Sequence, residues 1–122
     1  MKFTHLVGLA LATAIALPAA ASAADAPAAF AACKACHKTV AGGKGMGPSL
    51  FGVVGRKPGT EAGFNYSPAM KAFGEKNTWD AALLAKYVDN PKAVVPGNRM
   101  PFGGLHDAAK AKEVADYLAT LK

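Results

Sequence analysis

The apolar residues of this chain recur at helical spacing, and no stretch shows the alternation expected of a half-buried strand. The clearest helix is predicted to start at an N-cap, Asp107, and to run to Leu121. Its apolar positions share one face and predict a buried stripe of Ala111, Val114, Ala115, Leu118 and Leu121. The pattern therefore predicts an all-α protein.

Two shorter helices are predicted nearer the amino terminus. In the first, Asp25 is the expected cap, Pro27 lies in the first turn, and the helix runs into Cys33. The second is expected to start at Ser67 and to end at Gly74, because glycine commonly terminates a helix. Both segments are too short to bury much surface against each other.

A further helix is expected to begin at a Thr78 cap and to stop at Asn90 and Pro91, since proline cannot continue a helix. Its apolar face is predicted to comprise Trp79, Leu83, Leu84, Tyr87 and Val88. The chain thus has three to five short helices.

Long loops join these helices. Residues 42–63 are rich in glycine, and residues 95–102 contain two prolines, so both stretches are predicted to be irregular or extended. A long loop in a compact domain is expected to pack on something functional. Because large aliphatic residues are few, the composition favours a fold built around a bulky guest.

The first 24 residues have the pattern of a secretory signal peptide. Lys2 gives a positive start, residues 6–17 are apolar, and Ala21–Ala23 form a small-residue cleavage signal. The alternative is an uncleaved membrane anchor, but a spanning helix needs about 20 apolar residues. We therefore expect a leader at residues 1–24 and one domain at residues 25–122.

The charges are unevenly distributed. The chain has 14 Lys and Arg against 8 Asp and Glu, and every acid lies outside residues 26–60 and 90–106. A basic surface of this kind is compatible with nucleic acid as a partner. However, the chain has no basic helix and is expected to be exported, so no nucleic-acid binding is predicted.

The chemistry is concentrated in residues 33–37, where Cys33 and Cys36 are followed directly by His37. This spacing is the attachment pattern for a c-type haem. Each thiol adds to one vinyl group, and the imidazole is then placed to ligate the iron. The sequence predicts one covalent haem c.

Three other uses of the two cysteines compete with haem attachment. A thiol–disulfide oxidoreductase normally has its Cys-x-x-Cys in a strand–helix context, and no strand is predicted here. A zinc site needs two more ligands, and outside the leader and residues 33–37 the only histidine is His106. A structural disulfide would leave the adjacent His37 unexplained.

The second axial ligand decides between a carrier and an enzyme. The candidates are Met46, Met70, Met100 and His106, and a methionine is more often core than ligand. Met100 is preferred because it stands in a rigid stretch that ends at Pro101, where no helix forms. His106 is the main alternative.

With these residues in place, the chain resembles the class I cytochromes c, mitochondrial and bacterial periplasmic. The similarity spans residues 30–118, and the matching motifs are residues 33–37, 47–50, 55–56, 63–67, 78–79, 87, 90–92, 96–100 and 117–118. The resemblance implies a class I cytochrome c fold, with short helices and long loops wrapped around one haem.

The same resemblance assigns further residues to the haem site. Pro48 is expected to accept a hydrogen bond from His37 through its carbonyl group, which fixes the imidazole tautomer. Arg56, Tyr66 and Trp79 match residues that hydrogen-bond a buried haem propionate. Tyr87 is expected to pack over Met100, the axial thioether. The implied set is Cys33, Cys36, His37, Pro48, Arg56, Tyr66, Trp79, Tyr87 and Met100, with His37 and Met100 as the metal ligands.

The chain departs from the mitochondrial pattern in three places. It is two residues longer between Tyr66 and Trp79, Met70 stands where an asparagine is common, and Asn98 replaces a threonine. In the family the asparagine is near the haem and the threonine usually bonds the inner propionate, so the resemblance implies that these changes concern the inner polar network of the haem site. We expect them to affect the polar network there.

These features predict a soluble, monomeric electron carrier of the periplasm, not an enzyme. Its basic residues are expected to steer it to acidic docking sites on membrane redox complexes, such as a quinol–cytochrome c reductase, a terminal oxidase or a photosynthetic reaction centre. The residues in question are Lys34, Lys38, Lys44, Lys92 and Arg99. The alternative is a haem enzyme or gas sensor with an open or displaceable sixth ligand.

Overall fold

Five α-helices and long loops make up the part of the chain that the computed structural model describes, residues 8, 10–13 and 25–122. The helices are α1 (Ala31–Lys34), α2 (Pro68–Lys76), α3 (Ala81–Asp89), α4 (Pro91–Val94) and α5 (Ala108–Leu118). These residues contain no strand, and the all-α prediction is confirmed. The predicted leader, residues 1–24, lies outside the described residues except for residues 8 and 10–13.

The amino-terminal helical segment begins at Ala28 and has Pro27 at its cap position, so the predicted cap at Asp25 is wrong. A 3₁₀ turn, Ala28–Phe30, leads into α1 and has no side-chain cap. The carbonyl of Pro27 accepts the first hydrogen bond, from Phe30 N–H at 3.0 Å. The fixed φ of proline therefore sets the start of this turn. Phe30 is completely buried.

Helix α2 starts as predicted, but it does not end at Gly74. The Ser67 hydroxyl caps it by accepting from Met70 N–H at 3.1 Å. The helix passes through Gly74 and ends at Lys76. A Cβ at Gly74 would overlap the carbonyl oxygen of Pro58, so the glycine serves close packing between the loop and the helix. It does not terminate the helix.

Helix α3 starts at an Asp80 cap, and the prediction of Thr78 is wrong. Trp79 N–H donates to the carbonyl of Arg56 at 2.9 Å, and Gly55 N–H donates to the carbonyl of Trp79 at 2.7 Å. This pairing keeps the backbone extended through Trp79. The Asp80 carboxylate then accepts from Leu83 N–H at 2.7 Å and opens the helix.

The end of α3 at Asn90 and Pro91 is confirmed, and one further turn, α4, follows. Residues 95–102 are turned or extended, as expected. Asp107 caps α5 by accepting from Lys110 N–H at 3.0 Å. The helix ends at Leu118, before the predicted Leu121, although all five residues of the predicted stripe are buried.

The core lies between α3, α5 and the amino-terminal turn. The rings of Phe30 and Tyr117 meet edge to face, with centroids 4.9 Å apart. The buried apolar residues are Phe30, Val53, Met70, Trp79, Leu84, Tyr87, Val88, Val95, Ala111, Val114, Ala115, Leu118 and Leu121. Several of them face a large cavity. Within the described residues, no helix combines the length and apolar character needed to cross a membrane.

Replacement of Gly74 by alanine is expected to destabilise the protein, although alanine is the better helix former by about 1 kcal/mol. The added methyl group has to displace the carbonyl of Pro58, and overpacking of this kind costs about 1–3 kcal/mol. Denaturant unfolding of the purified protein measures the difference. Gly103→Ala is the control, because a Cβ added there would meet no neighbouring atom within 4 Å. Equal stability of the two variants would contradict the packing role of Gly74.

Candidate functional site

The last turn of α1 and the residues that follow it bring two thiols and an imidazole to the cavity. Cys36 N–H and His37 N–H both donate to the carbonyl of Cys33, at 3.2 and 2.9 Å. All three side chains line the cavity. Burial, with a smaller effect from Cys36, raises the pKa of the Cys33 thiol. A redox-active thiol has a lowered pKa, so the environment of Cys33 disfavours a thiol–disulfide oxidoreductase.

The His37 ring is oriented by the backbone of the following loop. Its Nδ1 lies 2.7 Å from the carbonyl oxygen of Pro48, the contact implied by the resemblance. A carbonyl can only accept, so this bond places a proton on Nδ1, and in the neutral ring Nε2 then carries none. Burial is the main cause that lowers the pKa of His37. At neutral pH this direction favours the neutral imidazole, the form that a metal ligand requires.

Gly47 lets the loop lie against the imidazole face. A Cβ at this position would be 2.5 Å from Cε1 of His37 and 2.8 Å from its Nδ1. The Gly47 N–H donates to the carbonyl of Cys36 at 2.9 Å, which ties the loop to the attachment turn. Gly47 belongs to a motif that matches the class I cytochromes c, but the sequence did not predict its contact with His37. Its position directly before Pro48 was the available signal.

The four candidates for the second axial ligand lie in different surroundings. Met100 is part-buried and lines the cavity. Met70 is buried and also lines it, whereas Met46 lies at its edge with 77% of its surface exposed. His106 is exposed and outside the lining, and its backbone has a positive φ of 50°. The structure therefore does not bring His106 to the site.

The loop that carries Met100 is held by one asparagine side chain. Asn98 Nδ2 donates to the carbonyl of Val95, and its Oδ1 accepts from Met100 N–H, both at 2.9 Å. The carbonyl of Met100 accepts from Phe102 N–H at 2.8 Å. The residue that departs from the mitochondrial pattern thus fixes the backbone on which Met100 stands.

Arg56 and Tyr66 form a polar end of the cavity. The guanidinium group of Arg56 donates to the carbonyl of Ser49 at 2.8 Å and to the Glu61 carboxylate at 2.7 Å. The Tyr66 hydroxyl accepts from Glu61 N–H at 3.1 Å. The charged side chains that line the cavity are Arg56 and Arg99, and no carboxylate is among them. The site therefore favours an anionic group.

Trp79 and Tyr87 supply buried aromatic surface beside this polar end. Their ring centroids are 5.1 Å apart, and each residue is less than a tenth exposed. Both line the cavity. Burial raises the pKa of Tyr87 to about 12. The hydroxyl of Tyr87 therefore stays neutral and able to donate a hydrogen bond.

One cavity of about 560 Å³ collects all nine sequence-predicted residues. This volume lies within the range of cofactor sites, roughly 300–1,000 Å³. Its chemistry fits a haem, with two thiols for the vinyl groups and apolar walls for the porphyrin. An imidazole and a thioether can ligate the iron, and Arg56 can pair with a propionate. The apolar part of the lining includes Leu50, Val53, Phe64, Leu84, Val88, Phe102, Val114 and Leu118.

Curated proteins of similar sequence extend over nearly the whole of this domain. The chain is 53% identical over 100 residues to cytochrome c2 iso-2 of Magnetospirillum molischianum, covering 81% of this chain and 100% of that protein. It is 49% identical over 98 residues to cytochrome c2 of Rhodoplanes tepidamans, covering 80% and 99%. A comparison with models of protein families finds no match.

Solved structures show the same likeness. Cytochrome cH from Methylobacterium extorquens has a TM-score of 0.68 and 44% identity, covering 75% of this chain and 91% of that one. Ferricytochrome c2 from Rhodopseudomonas palustris has a TM-score of 0.70 and 38% identity, covering 78% and 94%. These likenesses confirm the predicted fold class and do not support a haem enzyme or gas sensor. The chain belongs to the cytochrome c2 family of class I c-type cytochromes, and it is an electron carrier with one covalently held haem c.

Proposed function

We propose that Cys33 and Cys36 anchor the haem, that His37 and Met100 are its axial ligands, and that the protein is a carrier without enzymatic activity. The convergence of all nine predicted residues on one cavity carries this proposal. When bound, the haem supplies one-electron exchange at its iron. With two protein ligands, no coordination position is left for a substrate.

The chain's own residues keep both axial ligands in place. The Pro48 carbonyl holds the His37 proton on Nδ1, and Gly47 leaves room for the ring. Asn98 fixes the backbone of Met100. Because neither ligand has to move, electron exchange needs little rearrangement. A thioether ligand and buried surroundings both favour the ferrous state and raise the reduction potential.

The polar end of the cavity is assigned to the propionates. Burying a carboxylate is costly unless it is paired and hydrogen-bonded. Arg56 offers a positive charge there, and Tyr66 and Trp79 line the same cavity. Tyr87, with its neutral hydroxyl, is proposed to pack over Met100. Each of these residues stabilises a bound group without taking part in a chemical step.

The mouth of the cavity is proposed as the docking surface. The exposed residues that line the cavity mark its mouth, and they are Ala32, Ala35, Met46, Arg99 and Pro101. Arg99 lies in this mouth, and Lys34 lies in sequence between two lining residues, Cys33 and Ala35. The surface therefore combines small apolar side chains with positive charge.

Five basic side chains from residues 26–60 and 90–106, the two segments without an acidic residue, are available for a partner. All are exposed, and the two ion pairs within the described residues, Arg56–Glu61 and Lys112–Asp116, involve none of them. They are Lys34, Lys38, Lys44, Lys92 and Arg99. Such a surface steers a small carrier toward acidic patches by long-range attraction. The proposed partners are a quinol–cytochrome c reductase and a terminal oxidase or photosynthetic reaction centre.

The periplasm is the proposed location, and a monomer is the proposed state. The support for the location is the leader pattern at residues 1–24, together with the attachment motif at residues 33–37. Attachment of haem to such a motif takes place after export in bacteria. A single docking surface around the mouth of the cavity is compatible with a monomer that meets its donor and acceptor in turn.

Replacement of Met100 by alanine is expected to remove the thioether ligand. The far-red charge-transfer band of the ferric protein, which marks a methionine–iron bond, should disappear. The ferrous protein should gain carbon monoxide binding, and the midpoint potential should fall because the soft ligand is lost. Absorption spectra of the purified holoprotein provide the measurement.

Met70→Leu is the matched control for this experiment, because Met70 also lines the cavity and leucine has a similar volume. The far-red band should persist in that variant. Its persistence in Met100→Ala, or its loss in Met70→Leu, would show that Met100 is not the ligand. A high-spin ferric spectrum of the unaltered protein would favour a haem enzyme.

Steering by the basic surface predicts a rate that depends on salt. Electron transfer to or from isolated membranes should slow several-fold as ionic strength rises to about 0.15 M, where the Debye length is about 8 Å. Lys34→Gln should lower the rate at low salt and flatten this dependence. Lys112→Gln is the control, because it changes the net charge equally but removes a lysine already paired with Asp116. A flat salt profile for the unaltered protein would exclude steering.

A further inference from the structure

One acidic side chain is joined directly to the polar end of the cavity. Glu61 Oε2 accepts from Arg56 Nη1 at 2.7 Å, and the two side chains are 23% and 17% exposed. The other ion pair of the described residues, Lys112–Asp116, is 73% and 54% exposed. The Arg56–Glu61 pair is less exposed, so water and salt screen its charges less. It therefore has the stronger electrostatic effect on nearby charged groups.

The hydrogen bonds of Arg56 leave room for a second anion. A guanidinium group has five N–H donors. Nη1 donates to Glu61 and, at 3.4 Å, to the carbonyl of Phe51, and Nη2 donates to the carbonyl of Ser49. Two N–H groups of Arg56 therefore have no partner among the described residues. Since Arg56 lines the cavity, it can bridge Glu61 and an anion inside.

Glu61 also changes the charge at this end of the cavity. Arg56 and Arg99 line the cavity, and no carboxylate does. Glu61 lies outside the lining and offsets the positive charge of Arg56. A propionate bound by Arg56 then shares the positive charge of Arg56 with the carboxylate of Glu61. The two carboxylates and the guanidinium group together keep a net negative charge. Negative charge near the iron stabilises the ferric form relative to the ferrous form and lowers the midpoint potential.

We propose that Glu61 is a positioning residue that holds Arg56 at the propionate end of the haem and, through its charge, lowers the midpoint potential. The inference rests on the role proposed above for Arg56. Reduction adds one electron, supplied by the donor complex of the carrier, to the ferric iron. No bond forms or breaks, and the carboxylate of Glu61 affects only the equilibrium.

A purely structural role for Glu61 can be separated from this electrostatic one. The contact between Glu61 and Tyr66 uses the backbone N–H of Glu61, so no change of its side chain removes it. Glutamine has the same shape as glutamate, and its amide oxygen can still accept from Arg56. Glu61→Gln therefore removes the negative charge and leaves the hydrogen-bonded loop in place.

The test is a spectroelectrochemical titration of the holoprotein. In Glu61→Gln the midpoint potential should rise, with the equilibrium constant for reduction increased several-fold. The rise should persist at about 1 M salt, where the Debye length is about 3 Å. Glu75→Gln is the matched control, because Glu75 is exposed, makes no ion pair within the described residues and changes the net charge equally. Its smaller shift should vanish at high salt.

A midpoint potential of Glu61→Gln equal to that of the control at high salt would overturn the inference. The far-red band of the ferric protein distinguishes this failure from failure of the proposed function. If the band is present and the potential does not move, the inference on Glu61 alone is wrong. If the unaltered protein lacks the band, the proposed axial ligation fails, and the shift of the midpoint potential in Glu61→Gln still decides the inference on Glu61.

Discussion

The core of this protein is built around a cavity that its own side chains surround but do not fill. Val53, Leu84, Val88, Val114 and Leu118 are buried, and each of them also lines the cavity. A domain of this size buries too little apolar surface to be stable by a wide margin. A porphyrin bound there would complete the hydrophobic core, and helices α1, α2, α3 and α5 each contribute residues to the cavity that would hold it.

The polar contacts of the site follow from the same constraint, because a charged guest in an apolar core needs partners for its metal and its carboxylates. The His37 tautomer is set by a backbone carbonyl, and the Met100 backbone is set by Asn98. Arg56 is held by two carbonyl groups and by Glu61. These contacts come from loops, so the long irregular segments are the functional part of the fold.

The sequence predicted the residues that line the cavity better than the ends of the helices. The attachment motif was easy to find because its residues are adjacent in the sequence. Met100 was preferred to His106 as the second axial ligand because Met100 stands in a rigid stretch. The errors at Gly74 and Thr78 have a common cause, since contacts with the 55–58 loop override local signals there. The ion pair of Glu61 could not be predicted, because an acid five residues from an arginine in a loop has no fixed geometry.

The dependence of the fold on the haem is tested most directly by the chain made without haem attachment. Circular dichroism and denaturant unfolding of this apoprotein, beside the holoprotein, measure how much helix and cooperativity the guest supports. If the porphyrin completes the core, the apoprotein has little helix and no cooperative transition. A helical apoprotein that unfolds cooperatively, with a stability close to that of the holoprotein, would contradict this.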